Sequence, residues 1–103
     1  MEHYLLKLNP PRPTFQADMT GAEQELMGRH VAYWQELAEH GTAIVFGPVS
    51  DPAGAWGLAV VEAETEEQVR ALGDADPAVV SGLARFEVSP MPGAIVAPVQ
   101  AAA

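Results

Sequence analysis

Cysteine is absent from the 103 residues, so disulfides, thiolate nucleophiles and thiolate metal sites are all excluded. Positive charge is scarce: five basic side chains stand against fourteen acidic ones, for a net charge of −9. That balance repels a nucleic-acid duplex and an anionic membrane surface alike. Long apolar runs are also missing, and none approaches the ~20 residues that a membrane helix needs. The opening MEHYLLKLNPP has an acidic residue at Glu2 and only a short apolar stretch, unlike a signal peptide. The expectation is a cytoplasmic protein with neither a nucleic-acid nor a membrane partner.

Two further absences bear on cofactors. No GxxxxGK[ST] phosphate loop occurs, and Gly47-Pro48 lacks the length and following helix of one. No HxH or HxxxH spacing occurs either. His30 and His40 share one expected helix, where ten residues give about 15 Å of rise, and His3 stands alone near the N-terminus. Neither a metal nor a nucleotide cofactor is expected.

What the chain does have is enough apolar material for one core. Hydrophobic residues make up 49% and charged residues 18%, the balance of a folded single domain. Residues 2–9 alternate as a strand, with Tyr4, Leu6 and Leu8 on one side, and Pro10-Pro11-Arg12-Pro13 ends it. A polar loop follows. Thr20-Gly21-Ala22-Glu23 then has capping-box spacing and opens a helix over about 21–40, stopped by Gly41.

Thr42–Phe46 reads as a strand ended by Gly47-Pro48, and Ser50–Gly54 as turn chemistry. Ala55–Glu62 reads as the returning strand of a hairpin. Thr65-Glu66-Glu67-Gln68 is a second capping box, with a helix through Leu72. Asp76-Pro77 starts one more helical turn, aspartate at the cap and proline first inside. Arg85–Ser89 alternates as a last strand, and the MPGAIVAPVQAAA tail has no period.

The order strand, helix, strand, strand, helix, strand predicts a ferredoxin-like α+β fold, an antiparallel sheet with its helices on one face. Domain limits follow as 1–91, with an extended or mobile tail over 92–103. In such a sheet the uncovered face normally turns polar. Here both sides of the hairpin are apolar: Ile44, Phe46, Trp56, Leu58 and Val60 against Ala43, Val45, Ala59 and Val61. A second copy packed sheet to sheet is expected to cover the open face.

Within GRHVAYWQELAEHG, helical spacing aligns Leu26, His30, Tyr33 and Leu37, with Met27, Trp34 and Ala38 beside them. An imidazole on that apolar stripe is either a core histidine bonded to a backbone carbonyl or a proton-transfer group in a pocket. A working histidine needs an orienting partner, and Asp76 can serve while also capping its helix. Asp51, in its turn setting, is the rival. Tyr33, Trp34, Phe46 and Trp56 read first as core and interface, and one or two of them as an aromatic wall. Tyr33 has the helix register that brings it beside His30. Tyr33, Phe46, Ser50 and Trp56 form the candidate substrate-binding set. Ser50 as a nucleophile has no supporting motif.

The ordered segments RHVAYWQELAEHG, VFGPVSDPAGAWGLAVVEAET and DADP together resemble the YciI-like (YCII-related) family over roughly residues 1–91. The resemblance implies a dimeric α+β barrel of ferredoxin-like subunits. It also implies an active-site dyad of histidine and aspartate, which falls on His30 and Asp76. Muconolactone isomerases and chlorohydroxyquinol dehydrochlorinases of the same superfamily imply cofactor-free proton transfer on small cyclic substrates. Family members often have an aromatic residue after Asp-Pro, where this chain has Ala78, so one pocket wall is expected to be smaller or moved. The proline-rich 10–19 segment is a candidate lid. The alternatives are a non-catalytic small-ligand-binding protein and a structural or accessory dimer.

Overall fold

The alternation of the first nine residues is realised as strand β1, Glu2–Asn9, in a computed structural model that describes residues 1–98. Tyr4, Leu6 and Leu8 are buried on one face, as their period of two requires. The chain continues through α1 (Phe15–Asp18), α2 (Gly21–Glu39), β2 (Ala43–Val49), β3 (Trp56–Ala63), α3 (Glu66–Asp74), α4 (Pro77–Val80) and β4 (Arg85–Pro90). The four strands form one sheet in the order β2-β3-β1-β4, and every neighbouring pair is antiparallel. This is the ferredoxin-like α+β arrangement. Trp34 of α2 and Val69 of α3 pack into one core with Tyr4, Leu6, Ala59 and Val61, so both long helices cover the same sheet face.

The helix ends follow their capping residues. Thr20 accepts from Glu23 N–H, and the Glu23 carboxylate accepts from Thr20 N–H, closing the first box. Gly41, with φ of 79°, turns the chain after α2. The second box is only half formed: Thr65 accepts from Gln68 N–H, but the Gln68 amide oxygen accepts from Glu64 N–H, one residue too early. The third helical start forms as read, with Asp76 accepting from Ala78 N–H and Pro77 at the first position.

Three expectations need correction. Strand β2 does not stop at Gly47 but runs through Pro48 to Val49. β2 is an edge strand, where a residue without an N–H can continue the ladder. A bulge between Ala43 and Val45 also shifts the hairpin's alternation. Ala43 pairs with Val61 and Phe46 with Ala59 on the helix side, whereas Val45 pairs with Val60 on the open side. Phe46 and Val45 therefore exchange the faces that simple alternation assigned them. Third, the loop after β1 is not wholly polar, because Phe15 is buried and sits in a one-turn helix.

The open face still carries an apolar centre of Leu5, Val45, Leu58 and Val60, with Val45 half exposed. Past β4, Met91 N–H donates to the His3 carbonyl, and Ile95 is fully exposed. The tail expectation extends over residues 99–103, which lie outside the described residues. Among the described residues, no helix is long and apolar enough to cross a membrane.

Candidate active site

Asp76 reaches the site through a tight connection between α3 and α4. Gly73, in the last turn of α3, packs against the Phe86 ring, where a Cβ would meet ring carbons at 2.6–2.8 Å, so only glycine allows this approach. The Asp76 N–H then donates to the Gly73 carbonyl, and Pro77 fixes the next turn. The carboxylate is left completely buried, facing α2.

A buried carboxylate must find donors. Asp76 has three: His30 Nδ1 lies 2.7 Å from Oδ2 and 3.0 Å from Oδ1, Trp34 Nε1–H donates to Oδ2 at 2.8 Å, and Ala78 N–H donates to Oδ1 at 2.9 Å. His30 and Trp34 are one helical turn apart on α2, so their side chains meet at one point. A carboxylate that already accepts from Trp34 and Ala78 suits the imidazole tautomer with its hydrogen on Nδ1, which would leave the Nε2 lone pair free. No protein group among the described residues bonds Nε2.

His30 borders a cavity of about 260 Å³ between α2, the sheet and the 10–19 segment. Leu8, Met27, Trp34 and Phe46 supply much of its apolar wall. His30 is the one ionisable side chain among the lining residues, and Gln16 adds an uncharged amide. A hydrophobic hollow with few convergent polar groups is the usual form of a small-molecule site.

The 10–19 segment covers one side through Pro10, Pro11, Phe15, Gln16 and Met19. Arg12 ties it to α2. Its guanidinium donates to both carboxylate oxygens of Glu23 at 2.8 and 2.9 Å and to Asp18 at 2.8 Å, and it lies 5.3 Å over the Phe15 ring. Arg12, then Thr20 N–H, holds the Glu23 carboxyl down to about 2. Asp18 is likewise held below the carboxylate range, first by Thr14 and then by Arg12.

The structure brings some candidate residues together and separates others. Phe46 lines the cavity from the helix side of the sheet, placed there by the bulge. Trp56 borders it only at the strand end. Its ring lies on the open face with Lys7 Nζ 4.8 Å above it, and its Nε1–H donates to Asp51. Neither Tyr33 nor Ser50 lines the cavity. The Tyr33 hydroxyl donates to the Leu72 carbonyl at 2.6 Å, and burial, then the Asp76 charge, pushes this phenol up. Ser50 is exposed after β2. Asp51, the rival partner, faces the turn: Ala53 N–H, then Trp56 Nε1–H, holds its carboxyl below the usual range. Among the described residues, no group of three or more His, Cys, Asp or Glu side chains converges as metal ligands would.

Two features of the site go beyond the sequence expectations. Trp34, expected as core or aromatic wall, also donates to Asp76, and its i+4 spacing from His30 was the available signal. Phe15 was hidden as a lone aromatic in a polar stretch.

With this geometry in place, the sequence decides the family. The model of the YCII-related domain matches residues 4–92. The chain belongs to the YCII-related family. No curated protein matches it. Among solved structures it is similar to 5-chloro-2-hydroxyhydroquinone dehydrochlorinase from Burkholderia phenoliruptrix AC1100, in complex with 2,5-dihydroxybenzoquinone. The TM-score is 0.63 at 19% identity, covering 84% of this chain and 90% of that chain. At that identity the likeness concerns the fold. In this YCII-related chain, the residue after Asp76-Pro77 is the small Ala78, fully buried with Leu8 and Ala84 and outside the cavity lining.

Proposed function

We propose that this YCII-related protein is a cofactor-independent enzyme that moves a proton on a small cyclic or aromatic-derived molecule, with a lyase, isomerase or hydrolase outcome. The observation that carries the reading is the 2.7 Å contact between His30 Nδ1 and Asp76 Oδ2 at the wall of an apolar cavity. His30 Nε2 accepts a proton from substrate oxygen or carbon. The Asp76 carboxylate, facing Nδ1–H, orients the ring and stabilises the imidazolium that results. The same Nε2 then returns the proton to another atom or to a leaving group. Apolar walls keep water from competing. Assistance of this kind is worth typically ~10²–10⁴-fold in rate.

Phe46 serves as an inner wall and Trp56 as an edge contact, and the 10–19 segment acts as the lid. The structurally similar dehydrochlorinase is named for a hydroxylated, chlorinated single ring, which supports a ring-sized substrate. The functional unit is a homodimer packed through the open sheet face, supported by Leu5, Val45, Leu58 and Val60 at its centre. Light scattering should report a dimer, and Val60→Glu should give a folded monomer. A wild-type monomer at micromolar concentration would remove the dimer from the account.

The catalytic test is a melting-shift screen of lactones, quinols and hydroxylated aromatics, followed by turnover assays on whatever binds. His30→Ala should lower turnover by about 10²–10⁴-fold. Unchanged turnover would refute the role of His30. A ligand that binds and is recovered unaltered would instead make this a binding protein.

A further inference from the structure

The cavity's charge pattern says what kind of ring it takes. No lysine or arginine lines it, and every lining side chain except His30 and Gln16 is hydrophobic, aromatic, proline or glycine. Immediately behind His30 lies the fully buried carboxylate of Asp76, 2.7 Å from His30 Nδ1. The whole chain carries −9. An anion entering here would leave water, meet no cationic partner, approach a buried carboxylate and oppose the field of the molecule.

Size sets a second limit. A cavity of ~150 Å³ with aliphatic and aromatic walls holds benzene. The hollow beside His30, at about 260 Å³, has room for one substituted ring.

Resting on the proton-transfer reading above, we propose that the site selects an uncharged single ring bearing one hydroxyl-type group, which meets His30 Nε2, and rejects carboxylates and phosphates. The charge balance of the reaction fits that choice. A neutral substrate and neutral imidazole, with Asp76 ionised, carry one negative charge. Moving the proton to Nε2 gives an imidazolium between two anions, again with one negative charge in total. A substrate that arrives already ionised would place two negative charges against a neutral imidazole in an apolar hollow.

Calorimetry with the wild-type protein at about pH 8 tests this with p-cresol, p-toluate and toluene, three rings of similar size. The phenol is neutral there, since phenols ionise near ~10, whereas the carboxylate is fully charged. The expected order is p-cresol tightest, toluene weaker by several-fold, and p-toluate weaker than p-cresol by about tenfold or more. Val31 lines the mouth and is about half exposed, so Val31→Arg should supply the missing cation and narrow or invert the preference against p-toluate. Binding of p-toluate as tight as p-cresol, or no p-cresol binding up to its solubility limit, would overturn the proposal. The selectivity and the catalysis can fail separately. Selective p-cresol binding with no ring ever turned over leaves the selectivity standing and removes the enzyme. Equal p-toluate binding with His30-dependent turnover does the reverse.

Discussion

His30 Nδ1 and Asp76 Oδ2 lie 2.7 Å apart although 46 residues separate them in the chain. α2 supplies the imidazole, and a glycine-tight connection between α3 and α4 supplies the carboxylate. The same carboxylate also holds Trp34 Nε1–H and caps α4, so the site and the local fold share one buried anion.

That sharing makes Asp76 costly to replace. Asp76→Ala leaves the buried Trp34 Nε1–H and Ala78 N–H and the part-buried His30 ring without their acceptor and should destabilise the protein by about 2–4 kcal/mol in urea unfolding. Trp34→Phe removes one donor while keeping most of the ring, and should cost about 1–2 kcal/mol. Equal stability of wild type and Asp76→Ala would mean that the carboxylate does not organise these elements.

The path that delivers Asp76 can be tested separately. A Cβ at position 73 overlaps the Phe86 ring, so Gly73→Ala should cost about 1–3 kcal/mol by overpacking. Trimming the ring with Phe86→Leu in the same chain should recover part of that loss, which a double-mutant cycle measures directly.

Acid should loosen the segment that covers the cavity. Glu23 is held down to about 2 in the folded protein, against an ordinary 4.5, chiefly by Arg12. A folded value below the unfolded one stabilises the protein above pH 4.5, and the benefit disappears as pH falls toward 2. The melting-temperature difference between wild type and Glu23→Gln should therefore be constant above about pH 5.5 and shrink through that window. These side chains are partly exposed, so added salt should reduce the difference as well.

Much of this arrangement was legible in the residues, for identifiable reasons. Alternation in 2–9, the Thr20–Glu23 box and Asp76-Pro77 are local signals, and each formed where it was read. The order of elements then limited the topology to few choices. What stayed hidden depended on neighbours. Pro48 remains in its strand because β2 is an edge, a property of the sheet and not of Gly47-Pro48. The bulge that turns Phe46 inward has no local signature. Tyr33 had the register to join His30, yet the Leu72 carbonyl captured its hydroxyl. Trp34 read as core and is core, with a polar edge whose partner comes from another helix.

The central claim is that Asp76 keeps the His30 hydrogen on Nδ1 and so frees Nε2 toward the cavity. Long-range nitrogen–proton NMR of the imidazole, in the pH range where the ring is neutral, reads that hydrogen's position directly. The account predicts the Nδ1–H form for His30 in the wild type and loss of that preference in Asp76→Ala. A wild-type His30 carrying its hydrogen on Nε2 would contradict it.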